Sequence, residues 1–164
     1  MGQVAPAHAS GGLELAACTL AGSTETTDYS PALTSARQSS TVSIDTQYRN
    51  CLAPTEPALS SGSRSSVFTR ETSCLDLANG GQRTYTIDWN TGQQSTLSGM
   101  STANVVGAVL TTTTTGTVTS GLFQGATFIQ QVVSIPNLNI TLCTVGAGSL
   151  AHLDNTVTLV ITGV

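Results

Sequence analysis

Catalysis by this chain would have to centre on a single histidine. His152 is the only histidine outside the first twelve residues, and Asp154 follows it two positions later. A Ser-His-Asp triad would also need a serine nucleophile beside this pair. The sequence has no G-x-S-x-G element that would present such a serine. A histidine in a turn is usually a solvated surface residue, so the sequence predicts no enzyme.

Carboxylate, metal and phosphate chemistry have even less support. The nine acidic residues are scattered singly, and a sequence cannot show the facing pair that a glycosidase needs. The segment 88–92, Asp-Trp-Asn-Thr-Gly, resembles the start of a calcium loop, but it lacks a third acidic ligand and a closing Glu and better fits a hairpin turn. A phosphate loop needs a lysine, and the chain has none. We therefore expect no cofactor and no metal.

Two other features have both a binding and a structural interpretation. Trp89, the only tryptophan, could stack on a sugar ring, but it alternates with Tyr85 and Ile87 as a core residue of a strand does. The arginines could grip an acidic partner, although residues scattered in this way usually serve solubility. They are Arg37, Arg49, Arg64, Arg70 and Arg83.

The composition excludes several classes of protein. A chain of 164 residues is the length of one domain, and only 9% of its residues are charged. Its 28 threonines and 19 serines supply the surface polarity that charges usually provide. The net charge of -4 argues against a nucleic-acid partner, and no apolar stretch is long enough for a membrane span.

Alternation of apolar and polar residues with a period of two dominates the chain. Val42, Ile44 and Tyr48 face one side of a strand, and the segment 85–89 runs into an Asn-Thr-Gly turn that starts a hairpin. The sequence predicts an all-β fold, a two-sheet antiparallel β-sandwich, immunoglobulin-like or similar, with eight or nine strands. The predicted strands are 13–19, 24–29, 42–48, 65–72, 85–89, 93–97, 103–119, 126–135 and 156–162.

The cysteines indicate disulfides. Their number is even, they form no C-x-x-C pair, and only two histidines could complete a zinc site. The four cysteines therefore predict two disulfides, for which three connectivities are possible. Disulfides also indicate that the protein works in an oxidising compartment. We expect Cys18–Cys51 and Cys74–Cys143, because each pair would tie a strand end to a loop or a distant strand.

The N-terminus predicts export. Ala7-His8-Ala9 has the small-x-small form of a signal-peptidase site, so residues 1–12 are interpreted as a signal-peptide remnant and flexible leader before a single domain, 13–164. An ordinary flexible tail is the alternative. The protein is expected to be secreted.

The same leader is a candidate for binding a partner. A flexible segment followed by alternating apolar residues could add a strand to the open sheet edge of another subunit. The alternative is that this stretch is the first strand of its own domain, tethered by Cys18. The candidate partner-binding residues are Val4, Ala5, Pro6, Ala7, Leu13 and Leu15.

Several short motifs resemble small secreted actinobacterial proteins. They are Leu-Ala-Ala-Cys-Thr at 15–19, Tyr-Ser-Pro at 29–31, Ser-Cys at 73–74, Thr-Ile-Asp-Trp-Asn-Thr-Gly at 86–92, and the glycine-bounded stretch 117–125. The resemblance covers nearly the whole chain from Leu13 onward. The chain is also similar to the adaptor subunit of Streptomyces umbrella toxin particles. That likeness implies a toxin scaffold and a lectin subunit as partners, with residues 4–17 inserted into a cleft of the scaffold.

The expected function is therefore a secreted, non-catalytic binding or assembly module, most concretely an adaptor in an extracellular antibacterial toxin complex. Two alternatives remain. A secreted protease inhibitor would present a reactive loop, for which 51–63 is the best candidate. A carbohydrate-binding module would expose Trp89.

Overall fold

Most of the described residues lie in β-strands. The computed structural model describes residues 13–163, so the leader 1–12, with Val4, Ala5, Pro6 and Ala7, lies outside it, as does Val164. Within that range the helices are a 3-10 helix, Cys74–Ala78, and one α-helix, α1 (Leu138–Thr144). The strands are β1 (Glu14–Cys18), β2 (Thr24–Leu33), β3 (Gln38–Tyr48), β4 (Gly62–Thr72), β5 (Gly81–Trp89), β6 (Gln94–Val106), β7 (Val109–Gly121), β8 (Thr127–Ser134) and β9 (Leu150–Thr162).

The alternating pattern sets which side chains point inward. In β3, Val42 and Tyr48 are buried, whereas Asp45 and Gln47 between them are exposed. The predicted hairpin forms β5 and β6, and the Trp89 amide donates to the Gln93 carbonyl at 2.8 Å. The all-β prediction is confirmed.

One predicted strand is two. The expected strand 103–119 is broken by a turn at Gly107 and Ala108, and Val106 pairs with Val109 across it. The backbone of Gly107 has φ 59°, a conformation that glycine adopts without the cost a side chain would add. The prediction was wrong because the residues on both sides of the turn, Val-Val before it and Val-Leu-Thr after it, favour extended backbone. Their pattern outweighs the turn signal of the lone glycine.

The sheet closes into a barrel, so the predicted two-sheet sandwich was wrong. The strand order is β1-β9-β2-β3-β4-β5-β6-β7-β8, every pair is antiparallel, and β8 pairs back onto β9. The 13-residue β9 closes the ring because its first half pairs with β2 while most of its length pairs with β8. Strands β2 to β9 form the barrel, and β1 continues the line of β2 along the end of β9. Sandwiches and barrels share the same alternation, so the pattern alone does not separate them.

Two apolar clusters fill the two ends of the barrel, and one disulfide belongs to each. Cys18–Cys51 lies in the first cluster and Cys74–Cys143 in the second, which confirms the expected pairing. The second bridge ties the 3-10 helix to α1. The largest members of the first cluster are Tyr48, Trp89, Leu97, Phe128, Leu159 and Ile161. Those of the second are Tyr29, Leu33, Leu77, Ile140, Leu150 and Leu153.

The barrel wall has one weak junction. β3 and β4 pair over their whole length, but β4 and β5 share only two residue pairs, Gly62 with Trp89 and Ser63 with Asp88. Beyond these pairs the ladder stops, and the chain between the two strands forms the 3-10 helix. A gap between β4 and β5 is the result.

Candidate functional site

A cavity of about 140 Å³ lies inside the barrel between the two apolar clusters. Its lining includes Arg70, the 3-10 helix residues Asp76 and Leu77, and Arg83. These residues border the gap between β4 and β5, so the cavity opens to solvent there. Phe68, also in the lining, is 38% exposed. The opening is therefore a consequence of the incomplete β4–β5 ladder.

One row of polar side chains crosses the cavity wall from β9 to β4. Asn155, Glu25, Thr46 and Arg64 are successive cross-strand partners, and all face inward. The Thr46 hydroxyl donates to Glu25 Oε1 at 2.6 Å, and Arg64 Nη1 lies 3.8 Å from the same oxygen. Burial raises the pKa of Glu25, whereas the hydrogen bond from Thr46 and the charge of Arg64 lower it by less. The interior of the barrel thus contains a carboxyl group and a guanidinium group.

A second polar row runs along the opposite wall. Ser101, Thr114 and Gln130 are cross-strand partners on β6, β7 and β8, and all three are buried. The hydroxyls of Ser101 and Thr114 are 2.5 Å apart, and the Tyr48 hydroxyl donates to Gln130 Oε1 at 2.6 Å. The lining is therefore polar on two sides, with its hydrogen-bonding groups already oriented by one another.

Tyr85 stands out among the polar groups of the cavity. It lines the cavity with only 5% of its surface exposed, and the Arg64 guanidinium lies 4.2 Å from the centre of its ring. Among residues 13–163 its hydroxyl is the one buried side-chain polar atom without a hydrogen-bond partner. Burial raises the pKa of Tyr85, so the hydroxyl stays protonated at neutral pH. An unpaired buried hydroxyl costs about 1 to 3 kcal/mol, which a bound polar group would offset.

Three of the five arginines line this one cavity. They are Arg64, Arg70 and Arg83, on the inward-facing positions of β4 and β5. Burial, and then the charges of Arg70 and Arg64, lower the pKa of Arg83. The other two do not line the cavity: Arg37 pairs with the lining residue Asp76 at 3.0 Å, and Arg49 donates to the Gly22 carbonyl.

The rest of the lining is mainly apolar, with Thr27, Asn79 and Thr112 as further polar residues. A cavity of about 150 Å³ in another protein accepts a benzene molecule, so this one has room for a single ring or a group of similar size. A concave site that combines apolar walls with oriented polar groups is a candidate for binding a small molecule. Apolar residues of the lining include Val42, Ile44, Ala103, Leu110 and Val132.

His152 lies on the outside of the barrel, away from the cavity. Its Nδ1 is 2.6 Å from Asp28 Oδ1, and its Nε2 is 2.9 Å from Asp154 Oδ1. Both ring nitrogens are thus engaged by carboxylates, and neither is placed to take a proton from a serine. These two hydrogen bonds raise the pKa of His152. In this structure the residue bridges β2 and β9 on the surface through these two hydrogen bonds.

The stability of the protein is expected to fall slightly as pH rises from 6 to 8. The pKa of His152 is raised on folding, so its contribution is fully present below the unfolded pKa of about 6.5 and is lost as pH rises through the folded pKa. Because the side chain is 47% exposed, the change should stay below about 1 kcal/mol and shrink in high salt. Urea unfolding of the protein and of His152→Gln across this pH range measures it. An equal slope in both proteins would contradict the assignment.

The other sequence candidates are structural in the folded protein. Trp89 is buried, and its Nε1 donates to Ser95 Oγ at 2.8 Å, so it offers no face to a sugar. The segment 88–92 is the predicted hairpin turn, and residues 13–163 contain no group of three or more potential metal ligands. The proposed reactive loop, 51–63, is pinned by Asn90, whose Oδ1 accepts from the amides of Ser60 and Ser61.

Two of the candidate partner-binding residues fall within the described range. Leu13 is exposed, and its carbonyl accepts from the Gly163 amide at 2.6 Å. Leu15 lies in β1, which pairs with β9 of the same chain, and packs at the edge of the first apolar cluster. This part of the N-terminal segment therefore pairs and packs with the rest of its own chain.

One signal for the cavity is visible in the sequence. Glu25 occupies the same strand phase as Thr27 and Tyr29, and Arg64 the same phase as Phe68. Polar residues at inward positions of a strand are unusual unless they meet a partner or a ligand. Which of them meet one another depended on strand register, which the sequence does not reveal.

Comparison with protein-family models, curated proteins and solved structures finds no match for this chain. The function must accordingly be argued from the cavity itself. Among residues 13–163, no helix is long and apolar enough to cross a membrane.

Proposed function

We propose that this protein is a secreted binding protein whose barrel cavity takes up a small molecule through the gap between β4 and β5. The observation that carries the proposal is the buried hydroxyl of Tyr85, which lines the cavity without a hydrogen-bond partner. Native proteins rarely leave such a group unsatisfied. A ligand in the cavity would supply the missing partner.

The barrel supports this role in two further ways. The disulfides and the paired polar rows hold the walls in place, so binding would require little rearrangement of the protein. The incomplete ladder between β4 and β5 provides an entrance that does not require the barrel to unfold. Two disulfides also suit an oxidising, extracellular environment, which supports the proposal of secretion.

Filling the cavity should abolish binding. Ala103 lines the cavity on β6, and Ala103→Phe would occupy the space that a single ring needs. The adjacent Thr102 is exposed on the opposite face of the strand, so Thr102→Phe is a matched control of the same size. Fluorine NMR of a panel of single-ring probes, neutral and anionic, measures binding to the three proteins.

We expect the unmodified protein and Thr102→Phe to broaden and shift the signal of at least one probe, and Ala103→Phe to leave it unchanged. Circular dichroism and Trp89 fluorescence would show whether Ala103→Phe is folded. Equal binding by a folded Ala103→Phe protein would place the site elsewhere. The absence of binding by the unmodified protein at millimolar probe would reject the cavity as a single-ring site.

We also propose an assembly role for the N-terminal segment, in line with the adaptor expected from the sequence. The supporting observation is that β1 is an edge strand: β9 lies on one side, and on the other the described residues pair with it only through Ala17 and Leu52. A strand of a partner could extend this edge. Comparing proteins that copurify with the full chain and with a variant lacking residues 1–12 tests it, and identical partners would count against the role.

A further inference from the structure

The charges around the cavity opening indicate what kind of molecule it takes. The whole chain has a net charge of -4 and only five basic side chains besides histidine. Three of those five, Arg64, Arg70 and Arg83, nevertheless line the same cavity. Since like charges repel, this placement costs stability unless an anion compensates it.

The acidic groups of the lining do not provide that compensation in full. Glu25 lies against Arg64 and Thr46, deep in the barrel. Asp76 accepts two hydrogen bonds from Arg37 and further ones from Ser73 and Asn79. Within the described part of the chain, Arg70 and Arg83 make no ion pair at all, so the opening carries net positive charge.

The two guanidinium groups without an ion pair each make one further contact within the described residues. Arg70 lies 5.5 Å from the centre of the Phe68 ring, and Arg83 Nη1 donates to the Gln82 carbonyl at 3.0 Å. These contacts use a single donor of Arg83, and a guanidinium has five. Both side chains therefore keep donors in the fork geometry that suits carboxylate, phosphate and sulfate oxygens.

We propose that the ligand of this cavity is a small organic anion, whose ring-sized apolar group enters the barrel while its acidic group stays at the opening against Arg70 and Arg83. This inference rests on the proposed binding function and adds the charge and size of the ligand. Arg64 and the Tyr85 hydroxyl lie deeper and would meet a polar substituent of the ring. Carboxylates, phosphates and sulfates all carry the negative charge that the proposal requires, and the experiment below distinguishes between them.

The test compares an acid with a neutral molecule of the same size. Binding of 4-fluorophenylacetate and of 2-(4-fluorophenyl)ethanol is measured by fluorine NMR at low and high salt, with 4-fluorophenyl phosphate and sulfate as further anions. The proteins are the unmodified chain, Arg70→Gln, Arg83→Gln, the double variant, and Arg49→Gln as a control whose arginine lies outside the cavity lining.

We expect at least one of the anions to bind about tenfold or more tightly than the alcohol at low salt, the size of effect that one charge-assisted contact gives. Arg70→Gln and Arg83→Gln should each reduce this preference and the double variant should remove it, while Arg49→Gln keeps it. Raising the salt to 0.5 M should weaken only the anions.

The outcomes separate the inference from the function on which it rests. Equal binding of the alcohol and all three anions would overturn the anion assignment while leaving the cavity a binding site. An anion preference that survives in the double variant would overturn the role of the two arginines. Binding of neither kind of probe would reject the cavity as a single-ring site, and the anion with it. Arg70 is exposed, so Arg70→Gln alone tests the assignment without disturbing the fold.

Discussion

Replacing Cys74 and Cys143 with serine is expected to lower the free energy of unfolding by about 4 kcal/mol, because this bridge closes a loop of 69 residues in the unfolded chain. It is also expected to weaken ligand binding, since it fixes the 3-10 helix whose residues Asp76 and Leu77 line the cavity. Urea unfolding followed by the fluorescence of Trp89 measures the first effect. Fluorine NMR with a single-ring probe measures the second.

The other disulfide provides the matched control. Cys18–Cys51 closes 33 residues and lies at the opposite end of the barrel, so the corresponding double serine variant should lose a comparable 3 to 4 kcal/mol, roughly, without losing affinity for the probe. Equal affinity in the two double variants, both shown to be folded, would mean that the 3-10 helix does not shape the site.

Gly99→Ala and Gly116→Ala are each expected to destabilise the protein by at least about 3 kcal/mol or to prevent folding. The two glycines face one another across β6 and β7. A Cβ added at Gly99 would lie 2.1 Å from the carbonyl oxygen of Thr115, and one at Gly116 would lie 2.0 Å from that of Ser98. Only backbone movement could relieve these clashes. Thermal and urea unfolding of the purified variants, or their recovery in the soluble fraction, measures the effect.

A glycine in open space gives the comparison. Gly107→Asn changes a turn residue with φ 59° and no atom near its added Cβ, and asparagine tolerates this conformation, so its cost should be under about 1 kcal/mol. If Gly99→Ala proved as mild as Gly107→Asn, the close approach of β6 and β7 at this pair would not require glycine.

Most of the strands could be predicted, because each depends on short-range alternation. The segments around Val42, Ile87 and Leu159 all lie in strands with the predicted inward faces. Two disulfides could be predicted from four cysteines, and the expected pairing, one of three possible, is the one that the structure shows. The break at Gly107 was not, since a single residue's positive φ decides it and its neighbours favour a strand on both sides.

The closure of the sheet could not be predicted from alternation. A sandwich and a barrel both bury one face of each strand, and the difference is whether the last strand finds one neighbour or two. Here β9 is long enough to pair with both β2 and β8. Its partner residues in β2 lie more than a hundred positions away in the sequence. Long-range register of this kind is set by the packing of all strands together.

The sequence by itself determined an all-β, hydroxyl-rich, disulfide-bonded chain with few charges and no catalytic motif, because composition and alternation are local properties. The tertiary structure alone decided that three of its five arginines share one cavity. As positions along the sequence they were indistinguishable from solubilising residues. The incomplete β4–β5 ladder brings Arg70 and Arg83 to the same opening, and the β3–β4 register places Arg64 beneath them beside Thr46 and Glu25.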